Sequence, residues 1–96
     1  MVPRRKKFKF RLYIAGDTQN SASAISNLAI LCKKHLLNRS ETEVVDVFLE
    51  PDRALADGVF MTPTLVKLNP HPVRKIVGTL ILSRRLMQCL QLGEFA

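Results

Sequence analysis

A chain of 96 residues, 47% hydrophobic with only four glycines, excludes disorder and sets one domain, residues 1–96, with room for one core but not for a large enclosed active site. Its net charge of +7 favours an acidic partner, either nucleic acid or an acidic protein face. Charge interrupts every apolar run well before the roughly 20 residues a bilayer needs, so no membrane span is expected and the chain reads as cytoplasmic.

The chain opens on a basic tail, residues 1–7, containing Pro3-Arg4-Arg5-Lys6-Lys7. Lys9 and Arg11 interrupt the apolar residues after it, so the tail is not the start of a signal peptide. Phe8, Phe10, Leu12 and Ile14 alternate with Lys9, Arg11 and Tyr13, which predicts a first strand with one apolar face. Phe8 and Phe10 could stack bases, but their alternation with Leu12 and Ile14 places them in the core. Gly16 and Asp17 break the pattern, and from Asn20 the period becomes helical, with Ile25, Leu28, Ala29, Cys32 and Leu36 as the buried stripe. Thr18 or Asn20 suits the N-cap, because either side chain can accept from the free amides of the first turn. The helix is expected to run to about Leu37, with Asn38-Arg39-Ser40 closing it.

Glu43 to Leu49 reads as the second strand, and a strand–helix–strand crossover makes it parallel to the first. Asp46 is its polar interruption, expected to face water or a basic neighbour. Pro51 suits the first position of a short helix that Gly58 ends. Thr62-Pro63-Thr64-Leu65-Val66-Lys67-Leu68 and Val73 to Gly78 come next as two strands joined by the rigid turn Asn69-Pro70-His71-Pro72. A proline opening a strand is tolerated when its missing donor faces outward or its preceding bond is cis. Leu82, Leu86, Cys89 and Leu90 are spaced as one face of a final helix.

The expected order is therefore β-α-β-α-β-β-α, an α/β arrangement that looks like the thioredoxin fold, and Thr62-Pro63-Thr64-Leu65 is similar to that fold's cis-proline signature. Thioredoxins act through a thiol at the start of the first helix. Asp17 to Ser21 supplies hydroxyls, amides and a carboxylate there, so thiol exchange has no nucleophile and a redox role is disfavoured. Cys32 and Cys89 stand far apart inside apolar stripes and read as small buried hydrophobes, not a disulfide framework or a Cys-x-x-Cys motif. His35 and His71 lack ligand-spaced partners, so neither a metal nor a cofactor is expected. A small basic nucleic-acid-binding domain is the alternative the charge allows, but no helix-turn-helix, RNA-binding aromatic signature or zinc module accompanies it.

Taken together, Leu12-Tyr13-Ile14-Ala15-Gly16-Asp17-Thr18-Gln19-Asn20-Ser21, Val45-Asp46-Val47, Thr62-Pro63-Thr64-Leu65-Val66-Lys67 and Pro72-Val73-Arg74-Lys75-Ile76-Val77-Gly78 resemble the KaiB family of bacterial clock proteins. The likeness runs in one colinear order from about Phe8 to Leu90. It implies a non-catalytic regulator that binds a KaiC-like RecA-type ATPase and kinase, modulates its phosphorylation, and displaces a thioredoxin-like sensory histidine kinase. It also implies a metamorphic carboxyl half, roughly Gly58 to Leu92, that packs one way in the ring-binding monomer and another way in dimers and tetramers. Pro63, Pro70, Pro72 and Gly78 are the expected structural or switch positions, since X-Pro isomerisation is slow enough to delay such an exchange. Lys67, Arg74 and Lys75 match basic residues the family uses near its partner surface and are the expected contacts to acidic groups of the ATPase.

The sequence departs from the cyanobacterial pattern. Asp17 stands where asparagine is usual, Ser23 replaces a basic residue, His71 interrupts a run of prolines, Thr79 replaces aspartate, and the acidic carboxyl tail is missing. These differences imply a member outside the core oscillator, paired with its own KaiC-like ATPase and linked to stress adaptation. Homo-oligomers are expected because Leu80, Ile81, Leu82, Leu86 and Leu92 offer more apolar surface than one helix face can hide.

Overall fold

The computed structural model describes residues 7–36, 39–80 and 84–90. Four strands and three helices alternate as β1 (Phe8–Ile14), α1 (Gln19–His35), β2 (Ser40–Asp46), α2 (Pro51–Ala56), β3 (Thr64–Asn69), β4 (Arg74–Val77) and α3 (Arg84–Cys89). The strands form one sheet in the order β2-β1-β3-β4. β1 runs parallel to β2 and antiparallel to β3, and β3 is antiparallel to β4. The expected element order and the parallel first crossover are present.

The alternation in β1 divides the molecule into layers. Phe8, Phe10 and Leu12 join Leu28 and Leu31 of α1, Leu65 of β3 and Leu86 and Met87 of α3 in one core. The Phe8 and Phe10 rings lie 6.0 Å apart, centroid to centroid, within that core, where the alternation places them. Tyr13, Val45 and Val66 face the opposite way and pack with Ala54 of α2 and Val59. The sheet is thus covered by α1 and α3 on one side and by the shorter α2 on the other.

Several boundaries and faces differ from expectation for identifiable reasons. β2 stops at Asp46 because its Oδ1 accepts the Phe48 amide at 2.9 Å, while the Leu49 and Glu50 amides turn back to its carbonyl. Val47 to Leu49, expected in the strand, therefore form a turn. In α1 the buried residues are Ser21, Ala24, Leu28 and Leu31, with Leu36 at the C-cap; Ile25 and Ala29 are exposed and Cys32 is half-buried. The buried stripe is rotated by about one position from the expected one, because no charged residue between Gln19 and Cys32 marks a wet side and two apolar ridges compete. Leu28 belongs to both. Cys89, expected to be buried, is exposed on α3, where Leu86 and Met87 take the inward positions. Leu80 and Leu86 are buried; Ile81, Leu82 and Leu92, expected with them to leave apolar surface, lie outside the described residues. So do the first six residues of the basic tail.

The proline-rich positions are ordered as turns. The Thr62-Pro63, Asn69-Pro70 and His71-Pro72 bonds are all cis. Pro63 and Pro70 are buried and Pro72 is exposed. Gly78, next to the end of β4, has φ +124 and donates its amide to the Pro63 carbonyl at 2.9 Å. A side chain would meet no neighbour there, but the backbone conformation is one that L-residues avoid. Gly78→Ala is expected to cost about 1–3 kcal/mol through backbone strain alone, measured as a lower denaturation midpoint at unchanged m-value.

Candidate functional site

In this fold the carboxyl ends of β1 and β2 share one end of the sheet with the entry to β3, since Tyr13 pairs with Thr64 and Ile14 with Asp46. The turn between β1 and α1 is built from hydroxyls. Thr18 is the N-cap of α1, its Oγ1 accepting from the Ser21 amide at 3.2 Å, and the Thr18 and Ser21 hydroxyls are 2.7 Å apart. Ser21 Oγ also accepts the Ala15 amide at 3.0 Å. Each hydroxyl therefore has an architectural partner. Thr18→Ala is expected to lose about 1 kcal/mol of stability, read from thermal unfolding, as for a cap whose amide is left to water.

Asp46, expected to face water or a cation, instead ties two turns together. Besides the Phe48 amide, its Oδ1 accepts the Gly16 amide at 3.3 Å. Gly16 sits at φ +58, and a Cβ there would touch the Phe48 ring at 3.6 Å. Phe48 thus lies against the β1–α1 turn. On the other side of that end, Thr64 Oγ1 donates to the Met61 carbonyl at 2.5 Å and holds the segment that carries Phe60 and Met61. The sequence pattern assigns Phe48 and Leu49 to a strand; only a position just outside two strand ends marks these apolar residues as surface.

A polar network on the α2 side is not visible in the sequence. The Tyr13 hydroxyl donates to Asp57 Oδ2 and lies 3.1 Å from the Arg53 carbonyl, and Arg11 reaches the same Asp57 oxygen at 2.9 Å. Glu43 bridges Arg11 at 3.1 Å and Arg53 at 2.7 Å, and Arg53 also meets Glu50 at 3.3 Å. The Tyr13 hydroxyl bond, with Arg11 beside it, holds the Asp57 carboxyl below its ordinary range despite its partial burial. Arg53 and then Arg11 draw Glu43 from 4.5 down to about 2. Burial and the Asp57 carboxylate both push the Tyr13 hydroxyl upward, keeping it a donor. The period-two alternation of Arg11 and Tyr13 does place both on this face, but Asp57 approaches from 44 residues away.

The three basic residues expected at a partner surface separate. Lys67 is fully buried at 0% exposure, opposite Phe10 and Arg74 in the sheet, so in this conformation it cannot meet a partner. Its place on the inward face of a central strand, beside Leu65, accounts for that. Arg74 and Lys75 are exposed on the edge strand β4. Lys75 reaches across the α2 side: its ammonium lies 2.8 Å from where a Cβ at Gly58 would be, and its charge adds to the lowering of Asp57. Among the described residues, no group of three His, Cys, Asp or Glu side chains is placed to hold a metal ion. No described helix is long and apolar enough to cross a membrane.

A sheet in this order, covered by α1 and α3 on one side and α2 on the other, with a cis-proline at the entry to β3, defines a thioredoxin-like protein. Solved structures bear this out at the level of fold. The amino-terminal domain of Synechococcus elongatus SasA superposes with a TM-score of 0.74 at 16% identity, covering 100% of this chain and 95% of that one. Chloroplastic thioredoxin z gives 0.73 at 16% identity, over 92% of this chain and 80% of its own. The sequence narrows the class further. The KaiB domain profile matches residues 11–92. The circadian clock oscillator protein KaiB of Thermostichus vulcanus is 40% identical over 80 residues, 83% of this chain and 74% of the relative. That of Trichodesmium erythraeum is 39% identical over 80 residues, 83% and 77% respectively. The chain belongs to the KaiB family.

Proposed function

We propose that this protein is a clock-type regulator that acts by docking onto a KaiC-like RecA-type ATPase and performs no chemistry of its own. The observation that carries this reading is the α1 start: on a thioredoxin-like frame, the place of a reactive thiol is taken by Thr18 and Ser21, whose hydroxyls cap the helix and brace the β1–α1 turn. Family membership supports the regulatory role, the curated relatives being named circadian clock oscillator proteins. Arg74 and Lys75, exposed on β4, are the proposed contacts to acidic groups of the ATPase. Lys67 would join them only if the carboxyl half repacked, which is the fold exchange we retain as part of the proposal. In that exchange Leu65, Leu80, Leu86, Met87 and Leu90 would have to leave the core they share with β1 and α1. Two such packings coexist only when their free energies differ by a few kcal/mol.

A sensory histidine kinase bearing a thioredoxin-like domain would compete for the same seat, and the fold shared with the SasA domain supports competition by shape. A homo-oligomer is the proposed resting form, and the role lies outside a core oscillator, in stress adaptation. Co-purification tests the reading: the tagged full chain is expected to retain a KaiC-like ring, and its failure to do so at micromolar concentrations of both would refute the partner.

A further inference from the structure

Four large apolar side chains stand in water at the end of the sheet where β1 and β2 finish and β3 begins. Phe48 is 73% exposed, Leu49 79%, Phe60 83% and Met61 63%. The Phe48 ring lies against Gly16, and the backbone of the Phe60–Met61 segment is held by Thr64. Exposed apolar side chains scattered singly need no explanation, but two aromatics, a leucine and a methionine sharing one end of a sheet have the composition of a docking surface.

The charges around this cluster oppose those of the molecule. Asp17, Glu50 and Asp52 are exposed beside it, in the turns that carry Gly16 and Phe48 and in the first turn of α2. Among the described side chains, two nearby cations have acidic neighbours of their own: Arg53 is paired with Glu43 and Glu50, and Lys75 lies over Gly58 beside Asp57. Lys7, Lys9, Lys33, Lys34 and Arg39 belong to the opposite end, at the start of β1, the last turn of α1 and the entry to β2. Among the described side chains, a chain of net charge +7 thus presents one apolar end with exposed carboxylates around it.

We propose that this end is a docking surface for a basic amphipathic segment of a partner protein, with large apolar side chains seated on Phe48, Leu49, Phe60 and Met61 and its lysines or arginines facing Asp17 and Asp52. The surface is distinct from the β4 edge carrying Arg74 and Lys75 and does not depend on the ATPase reading. The basic segment, not a second copy, is the occupant because the rim is acidic, and a symmetric pairing of this end with itself would set carboxylates against carboxylates.

The test uses two synthetic amphipathic helical peptides of identical leucine pattern, one with lysine and one with glutamate at its polar positions. Fluorescence anisotropy is read with the full chain at about 0.15 M salt, where the Debye length of about 8 Å mutes the distant positive end. The lysine peptide is expected to bind about tenfold or more tightly than the glutamate peptide, against the sign of the net charge. Phe60→Ser with Met61→Ser is expected to weaken it at least about tenfold, and Asp17→Asn with Asp52→Asn to abolish the preference between peptides. Circular dichroism of each variant, unchanged from the parent, establishes that the surface and not the fold was altered. Equal or tighter binding of the glutamate peptide overturns the proposal, as does indifference to all these substitutions. Sedimentation showing a homodimer that the Phe60→Ser, Met61→Ser variant dissociates would assign the surface to a second copy and overturn it equally. None of these results bears on co-purification through Arg74 and Lys75, so the two readings fail separately.

Discussion

Replacing Asp57 by alanine is expected to lower the unfolding free energy by about 2–3 kcal/mol, because the buried Tyr13 hydroxyl and the Arg11 guanidinium lose the acceptor they share. For a domain of this size that corresponds to a drop of about 10–20 °C in melting temperature. Tyr13→Phe should cost less, since it removes a donor without stranding the carboxylate from Arg11. The double variant should then lose less than the sum of the single losses, with a coupling of about 1 kcal/mol or more. A loss below about 0.5 kcal/mol for Asp57→Ala would place the network among surface ion pairs that contribute little.

The same network sets an acid limb of stability. Asp57 and Glu43 both have folded-state pKa values below their ordinary 3.8 and 4.5, Glu43 at about 2. A depressed carboxylate contributes stability that is fully present above its unfolded pKa and is lost as pH falls through the folded one. Stability is therefore expected to be flat above about pH 5 and to decline between about pH 4.5 and pH 2. In Glu43→Gln that decline should be shallower. A chain equally stable across that window would contradict the pairing of Glu43 with Arg53 and Arg11.

Reversing charge at β4, with Arg74→Glu and Lys75→Glu together, is expected to weaken the proposed complex with a KaiC-like ATPase by about 100-fold or more, if the two cations face acidic groups in a desolvated contact. The positions are not equivalent. Lys75 lies beside Asp57 and Gly58, so a glutamate there would repel Asp57 and lower stability as well as binding. Arg74 pairs with Lys67 in the sheet and is exposed, with no ion pair among the described residues. Arg74→Glu alone is thus the cleaner probe: it should weaken binding about tenfold or more at unchanged melting temperature. Loss of binding in Lys75→Glu but not in Arg74→Glu would trace the effect to the α2 side of the sheet.

What can be read from the chain alone tracks the strength of each local pattern. The alternation from Phe8 to Ile14 specifies β1 and, through it, both cores, because strict period two over seven residues admits no other face. Pro51 and the Asn69–Pro72 turn locate their elements because proline fixes φ, and Gly58 because it takes the positive φ of +68 that other residues avoid. The face of α1 is harder. Seventeen residues whose only charges are Lys33 and Lys34 carry two apolar ridges, and the buried one shares its core with β1, β3 and α3, partners distant in the chain. β2 ends early because a single aspartate oxygen gathers two backbone amides, an event that composition does not announce. The polar network and the apolar end are both assembled from residues that are distant in the chain. Arg74 and Lys75 come only through a family resemblance; nothing in their own neighbourhood distinguishes them from Lys67, and burial is what parts the three.

The most direct test of the proposed docking role is the hydrolysis rate of a KaiC-like ATPase titrated with this chain and, in parallel, with its Cys32→Ser, Cys89→Ser variant. A saturable change in rate, the same for both proteins, is the predicted result. No change at any ratio, or a change that disappears with the two sulfurs, would contradict it.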